Sequence, residues 1–282
     1  MYLLLAVVAL AIQEPDEVRD LYIVAGQSNA VGFDAKPGLL SASEVDAKIP
    51  FWWRCGDPPP DRHDTTSRGW TTLKPQSLGN PIKPRKGRQY GNYAQPEGGF
   101  GAEIGFARTL FKAGDQNFSI VKAAFSGTGI AKDWAPGSTE SNGACYRALL
   151  KEVRGATEAG KKEGTKLRLR AILWVQGESD ANEKDAPLYA KRLREMMDAL
   201  RRDLEAPEML ALVAVNTRFG NGNNKFMPTI VKQQQLAAKT DPKCVYVDTS
   251  KAPIANSAHY DTKGTILVGE WFAKSLLQHR AK

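Results

Sequence analysis

Two segments of this chain carry residue types suited to acyl transfer. The first is Gly26-Gln27-Ser28-Asn29-Ala30-Val31-Gly32, directly after the apolar run 21–25 (LYIVA). A serine that follows a strand in a glycine-flanked turn can expose its Oγ together with nearby backbone N–H groups, which is what a nucleophile needs. The pattern is G-Q-S-N rather than G-x-S-x-G, and a serine at a strand end is also a common helix cap. The second segment is Asn256-Ser257-Ala258-His259-Tyr260-Asp261. The chain has only three histidines, so a general base has few candidates. His259 follows the last apolar run and precedes the last helical pattern, which returns it to the sheet edge that carries Ser28. His63 lies in a charged, proline-rich stretch and His279 in a basic tail, where both read as surface residues.

Two further segments sit at the ends of apolar runs. Trp174-Val175-Gln176-Gly177-Glu178-Ser179-Asp180 places an amide, a glycine and carboxylates there. Phe125-Ser126-Gly127-Thr128-Gly129 has a G-x-G after a strand, but lacks the third glycine of a dinucleotide loop.

The elements that would position these residues alternate along the chain. Runs at 21–25, 118–125, 169–175, 209–215 and 244–247 are apolar nearly throughout, as in strands covered on both faces. Helical patterns lie between and after them, at 103–112, 144–159, 187–204, 228–238 and 265–278. In the third, Tyr189, Leu193, Met196 and Leu200 recur at helical spacing. Alternation over the whole length predicts one three-layer α/β/α domain, over 18–282, with a central, mainly parallel five-stranded sheet. Residues 33–100 break the pattern. They hold nine of the sixteen prolines and three of the six tryptophans (Trp52, Trp53, Trp70). Such a segment is expected to be a loop-rich insertion wrapping the active-site mouth, with tryptophans that either stack on sugar rings or pack the loop.

Composition narrows the class. The chain has 282 residues, 39 Lys+Arg against 31 Asp+Glu, and a net charge of +8. Basic residues are spread and interleaved with acids, as in Lys191-Arg192-Leu193-Arg194-Glu195, with no nucleic-acid-binding signature. The densest run, Pro84-Arg85-Lys86-Gly87-Arg88, reads as a solvated surface or an attraction for acidic glycans. Three cysteines (Cys55, Cys145, Cys244) exclude a disulfide scaffold and a four-cysteine zinc site. Residues 2–12 are apolar and uncharged, and Ala9-Leu10-Ala11 has the small-residue pattern of a cleavage site. The stretch is too short to span a bilayer but suits a signal-peptide core, so 1–11 are expected to be removed on secretion or export to a periplasm. Export would allow one internal disulfide at most. No other run is long enough for a membrane span.

Taken together, the segments resemble the SGNH hydrolase superfamily, and more closely its sialate O-acetylesterase and acetylxylan esterase branch, carbohydrate esterase family 6. The matching blocks, in order, are Gly26-Gln27-Ser28-Asn29; Gly98-Gly99-Phe100-Gly101-Ala102-Glu103; Lys122-Ala123-Ala124-Phe125-Ser126-Gly127-Thr128 followed by Trp134; Gln176-Gly177-Glu178-Ser179-Asp180; and His259. The resemblance implies a flavodoxin-like fold and a serine esterase that removes O-acetyl groups from carbohydrate, with no cofactor and no metal. Ser28 would attack the ester and His259 would relay the proton. The Ser28 N–H, the Gly127 N–H and the Gln176 side chain would form the oxyanion hole. The superfamily usually places Asp three residues before the histidine, where this chain has Asn256. The orienting acid is therefore expected at Glu178, with Asp261 as the alternative and Gln27, Asn29 and Asn256 in support. Because of Asn256, a catalytically weak carbohydrate-binding protein of the same fold is a second reading, and an esterase of other short acyl esters a third.

Overall fold

The computed structural model describes residues 17–56, 64–79, 93–137 and 142–281. The apolar 2–12 stretch, the basic run at 84–88 and His63 lie outside them. The first strand, β1 (Glu17–Gly26), is fully buried from Leu21 onward. A four-residue helix, α1 (Ser28–Val31), follows at once. The edge strands β2 (Pro50–Gly56), β3 (Thr65–Thr66) and β4 (Thr71–Thr72) come next. The rest alternates: α2 (Glu103–Lys112), β5 (Phe118–Phe125), α3 (Ala144–Lys162), β6 (Thr165–Val175), α4 (Tyr189–Asp203), β7 (Leu210–Ala214), α5 (Met227–Thr240), β8 (Cys244–Tyr246) and α6 (Thr262–Arg280).

The sheet order is β3-β2-β5-β1-β6-β7-β8, with β4 also paired to β2. All pairings are parallel except those of β3 and β4. The five expected strands form its centre and one edge. The other edge comes from the 33–100 segment, which was expected to be loop. The β2 strand, between β5 and the short β3 and β4, alternates half-buried and buried residues, and its local composition (PFWWRCG) hides that pattern. One face of the sheet is packed by α3, α4 and α5. The other is covered by α1, α2 and α6. Burial on both faces is why the central strands read as continuous apolar runs.

The tryptophans of the segment pack rather than line the mouth. Trp52 donates to Glu152 on α3 at 2.7 Å, and its ring meets Trp70 edge-on at 5.8 Å. Trp70 donates to the carbonyl of Ala156, also on α3. Trp53 is buried and stacked on Phe51. No disulfide joins the three cysteines, and all three are buried.

Parallel strands place the ends of β1, β5, β6 and β7 side by side, so Ser28, Gly127, Gln176 and Asn216 emerge along one edge. Turning sharply there requires Gly26, which sits at φ +136°, with Val175 O only 2.1 Å from where a Cβ would stand. Gly26→Ala should therefore cost more than about 2 kcal/mol in urea unfolding. An unchanged midpoint would contradict this reading of the turn.

Candidate active site

Ser28 opens α1. Its N–H, at the first helical position, has no intrahelical partner and donates to no acceptor among the described residues. The helix ends at Gly32, whose N–H returns to Ser28 O at 2.9 Å. Gly32 lies at φ +81°, and a Cβ there would fall 1.7 Å from Phe100 O, so the helix is seated directly on the 98–101 backbone.

His259 lies in the loop between β8 and α6. Its Nδ1 is 2.6 Å from Asp34 Oδ2. Asp34 follows α1 by three residues, inside the segment that interrupts the strand-helix alternation. The same oxygen accepts from Asn256 Nδ2 at 2.9 Å. Burial alone would raise the Asp34 carboxyl; the bonds from His259 and Asn256, with the charges of His259 and Lys36, bring it below its usual value. An ionised carboxylate can only accept, so Nδ1 carries a proton, and in the neutral imidazole the lone pair is then on Nε2. The Phe33 ring packs at 4.8 Å from the imidazole and further fixes its plane.

This differs from the expected acid. Glu178 is buried, and its Oε1 accepts from Asn29 Nδ2 at 2.8 Å and from the Asn216 N–H at 3.1 Å. Asp261 caps α6 by accepting from Gly264 N at 2.7 Å. Asn256 stands where the superfamily has its Asp. It accepts from the N–H groups of Ala258 and His259 and holds Asp34, not the ring. Were it an aspartate, two carboxylates would face each other. No local signal marks Asp34 in the sequence; only its place just after the nucleophile turn could have suggested it.

The segments are joined by side chains. Asn29, next to the nucleophile, donates to Ala258 O at 3.0 Å and accepts from Tyr260 N at 3.0 Å, and so grips both neighbours of His259. Asn216 Nδ2 donates to Ala258 O as well. Gln27 Oε1 accepts from the N–H groups of Gly177 and Ser179, which ties α1 to the end of β6. Gln27, Asn29 and Glu178 thus brace the site.

Of the expected oxyanion donors, Gly127 is exposed at φ +70°, with open space where a Cβ would stand and an N–H that donates to no acceptor among the described residues. Gln176 is different. Its amide donates to Thr128 O at 3.0 Å and to Asp180 Oδ2 at 2.5 Å, so both hydrogens are committed inside the fold. The two backbone donors remain. His279 is exposed in the last turn of α6, remote in sequence from these segments. Among the described residues, no group of three or more His, Cys, Asp or Glu side chains could hold a metal ion. None of their helices is long and apolar enough to cross a membrane.

A sheet of this order, with a serine, a histidine and a carboxylate near its carboxyl edge, defines a parallel α/β fold with a polar site at its strand ends. The chain belongs to the carbohydrate esterase family described as sialic acid-specific acetylesterase, whose model matches residues 18–278. It is 30% identical over 162 residues to a probable carbohydrate esterase of Arabidopsis thaliana, a stretch covering 57% of this chain and 55% of that protein. The fold is similar to a solved Arabidopsis thaliana protein, with a TM-score of 0.64, 18% identity and coverage of 92% and 98% of the two chains. It is also similar to NanS, with a TM-score of 0.60, 18% identity and coverage of 96% and 100%. A carbohydrate acetylesterase from Xanthomonas citri gives 0.56 at 17% identity, covering 90% of this chain and 54% of that one.

The two carboxylates should respond differently to neutralisation. Asp34→Asn removes the charge that faces Nδ1 and should lower kcat about 10²–10⁴-fold. Glu178→Gln keeps the Oε1 acceptor of Asn29 and Asn216 and should cost far less. The reverse order in steady-state assays would return the orienting role to Glu178. Burial raises the Glu178 carboxyl above its ordinary 4.5, and the bonds from Asn29 and Asn216 only partly offset it. The folded state then holds a proton that the unfolded state has already lost, so stability falls as pH rises through that window. Glu178→Gln should lack this slope, and its Tm relative to the parent should rise with pH above about 4.5. A pH-independent Tm difference would contradict the burial of a charge there.

Proposed function

We propose that this protein is a serine esterase that removes O-acetyl groups from carbohydrate. The observation that carries the proposal is the short contact between His259 Nδ1 and Asp34 Oδ2, in a loop that Asn29 ties to the nucleophile turn. With Nδ1 protonated, Nε2 accepts the Ser28 hydroxyl proton while Oγ bonds to the acetyl carbonyl carbon. The carbonyl oxygen becomes an oxyanion between the Ser28 and Gly127 N–H groups. Such a donor contributes about 10²–10³-fold in rate. When the intermediate collapses, the sugar oxygen leaves and takes the proton from His259. Water then attacks the acetyl-enzyme, gives a proton to His259, and acetate departs as Ser28 regains it. Ionised Asp34 balances the imidazolium formed in each half. No step calls for a metal or cofactor.

Membership of the carbohydrate esterase family supports the substrate class, and its acetylesterase description supports acetyl as the acyl group. Acetylated plant xylan, sialic acid and other acetylated polysaccharides all suit this chemistry. The apolar start of the chain supports action outside the cytoplasm. Acetate release should be measured on a panel of acetylated glycans. Ser28→Ala should abolish it, with a loss of at least about 10³-fold. Full release by Ser28→Ala would exclude the serine mechanism, and release from octanoyl esters alone would exclude the carbohydrate acetate reading.

A further inference from the structure

We propose that Lys122, which touches none of the reacting atoms, is a positioning residue for the nucleophile. Its ammonium, buried beneath α1, holds the last carbonyl of that helix and so sets the position of Ser28 at the mouth. The inference rests on the serine esterase reading above.

Lys122 stands in the middle of β5, in register with Val24 of β1 on one side and Trp53 of β2 on the other. Its side chain is completely buried. A lysine in a strand covered on both faces is costly unless every donor is used. Here all three are. Nζ donates to Val31 O at 2.9 Å, Gln76 Oε1 at 2.7 Å and Glu103 Oε1 at 2.8 Å. Glu103 is equally buried, and its Oε1 also accepts from Gly101 N at 2.7 Å and Gln76 Nε2 at 3.1 Å. Gln76 Oε1 further accepts from Tyr93 OH, and the Gln76 backbone is bridged to Gly99. The cradle is therefore fixed from three separate stretches of chain before it meets α1.

Stability does not explain such a device. A buried ion pair pays for desolvation, and an apolar pair of the same volume fills a core at no such cost. What the ion pair supplies is a directed cation at one point. That point is the carboxyl end of a helix of four residues, too short to hold its own shape. Gln27 N bonds Val175 O at the start of the turn, Asn29 reaches the His259 loop, and Lys122 fastens the far end. A cation at a helix's last carbonyl is also on the favourable side of its dipole. Glu103 and Gln76, which touch no reacting group, accept the two other Nζ hydrogens.

The experiment compares the parent, Glu103→Gln, and the double variant Lys122→Met/Glu103→Gln. Each is titrated with a fluorophosphonate, whose phosphorus bonds to Ser28 Oγ as fluoride leaves and the hydroxyl proton passes to His259. Glu103→Gln keeps the bond to Val31 O and should label nearly as fast as the parent. The double variant loses that bond. Both its labelling rate and its kcat on p-nitrophenyl acetate should fall about 10²-fold, with KM little changed. Thermal melting identifies folded protein, and Lys122→Gln/Glu103→Gln replaces the double variant should that not fold. A folded Lys122 variant that labels at the parent rate, or variants whose rates track melting temperature alone, would overturn the positioning role. A parent whose Ser28 is not labelled at all would overturn the serine reading instead.

Discussion

The site depends on one amide. Asn29 is covalently next to Ser28, and its side chain bonds the residues on both sides of His259, more than two hundred positions along the chain. The same loop is also tied by Asn216 to Ala258 O, by Gly220 N to Ser257 O and by Asp34 to Asn256 and His259. Through the Asn29 clamp, any movement of the nucleophile turn carries the base along. Glu178 and Asn216 complete the clamp from β6 and β7 by holding Asn29 and Ala258. Three strands thus contribute to the placing of one imidazole.

The carboxylate that faces that imidazole is Asp34. The position three residues before His259 is an asparagine, which cannot balance an imidazolium. Asp34 lies across the ring from another part of the chain. Its Oδ2 receives both His259 and Asn256, so the asparagine is part of the same arrangement rather than a defect in it. A buried charge needs such donors to remain ionised. Glu178 shows the contrast: burial raises it, and it serves as an acceptor for amides.

Much of this was legible in the sequence. Strands covered on both faces must be continuously apolar, and five such runs marked the class of fold and its alternation of strand and helix. The same reasoning placed Ser28 and His259 at one edge, because parallel strands all end there. The strands of the 33–100 segment are not legible in its sequence, for a physical reason. The β2 strand is buried on alternate residues, begins with proline and contains arginine, so it does not read as a continuous apolar run. The tryptophans nearby were open to two uses, and packing on α3 took them.

The sequence by itself determined the sheet and the edge at which Ser28 and His259 stand, because those depend on local pattern and on the direction of strands. Only the tertiary structure decided which carboxylate faces the imidazole, whether Gln176 has a hydrogen to spare, and what a lysine does inside β5. Each of these is a choice among several chemically equivalent groups. Carboxylates at 34, 178 and 261 are alike as residue types, and an amide is a donor wherever it stands. Distance and burial separate them, and both arise only when segments far apart in the chain are packed against one another.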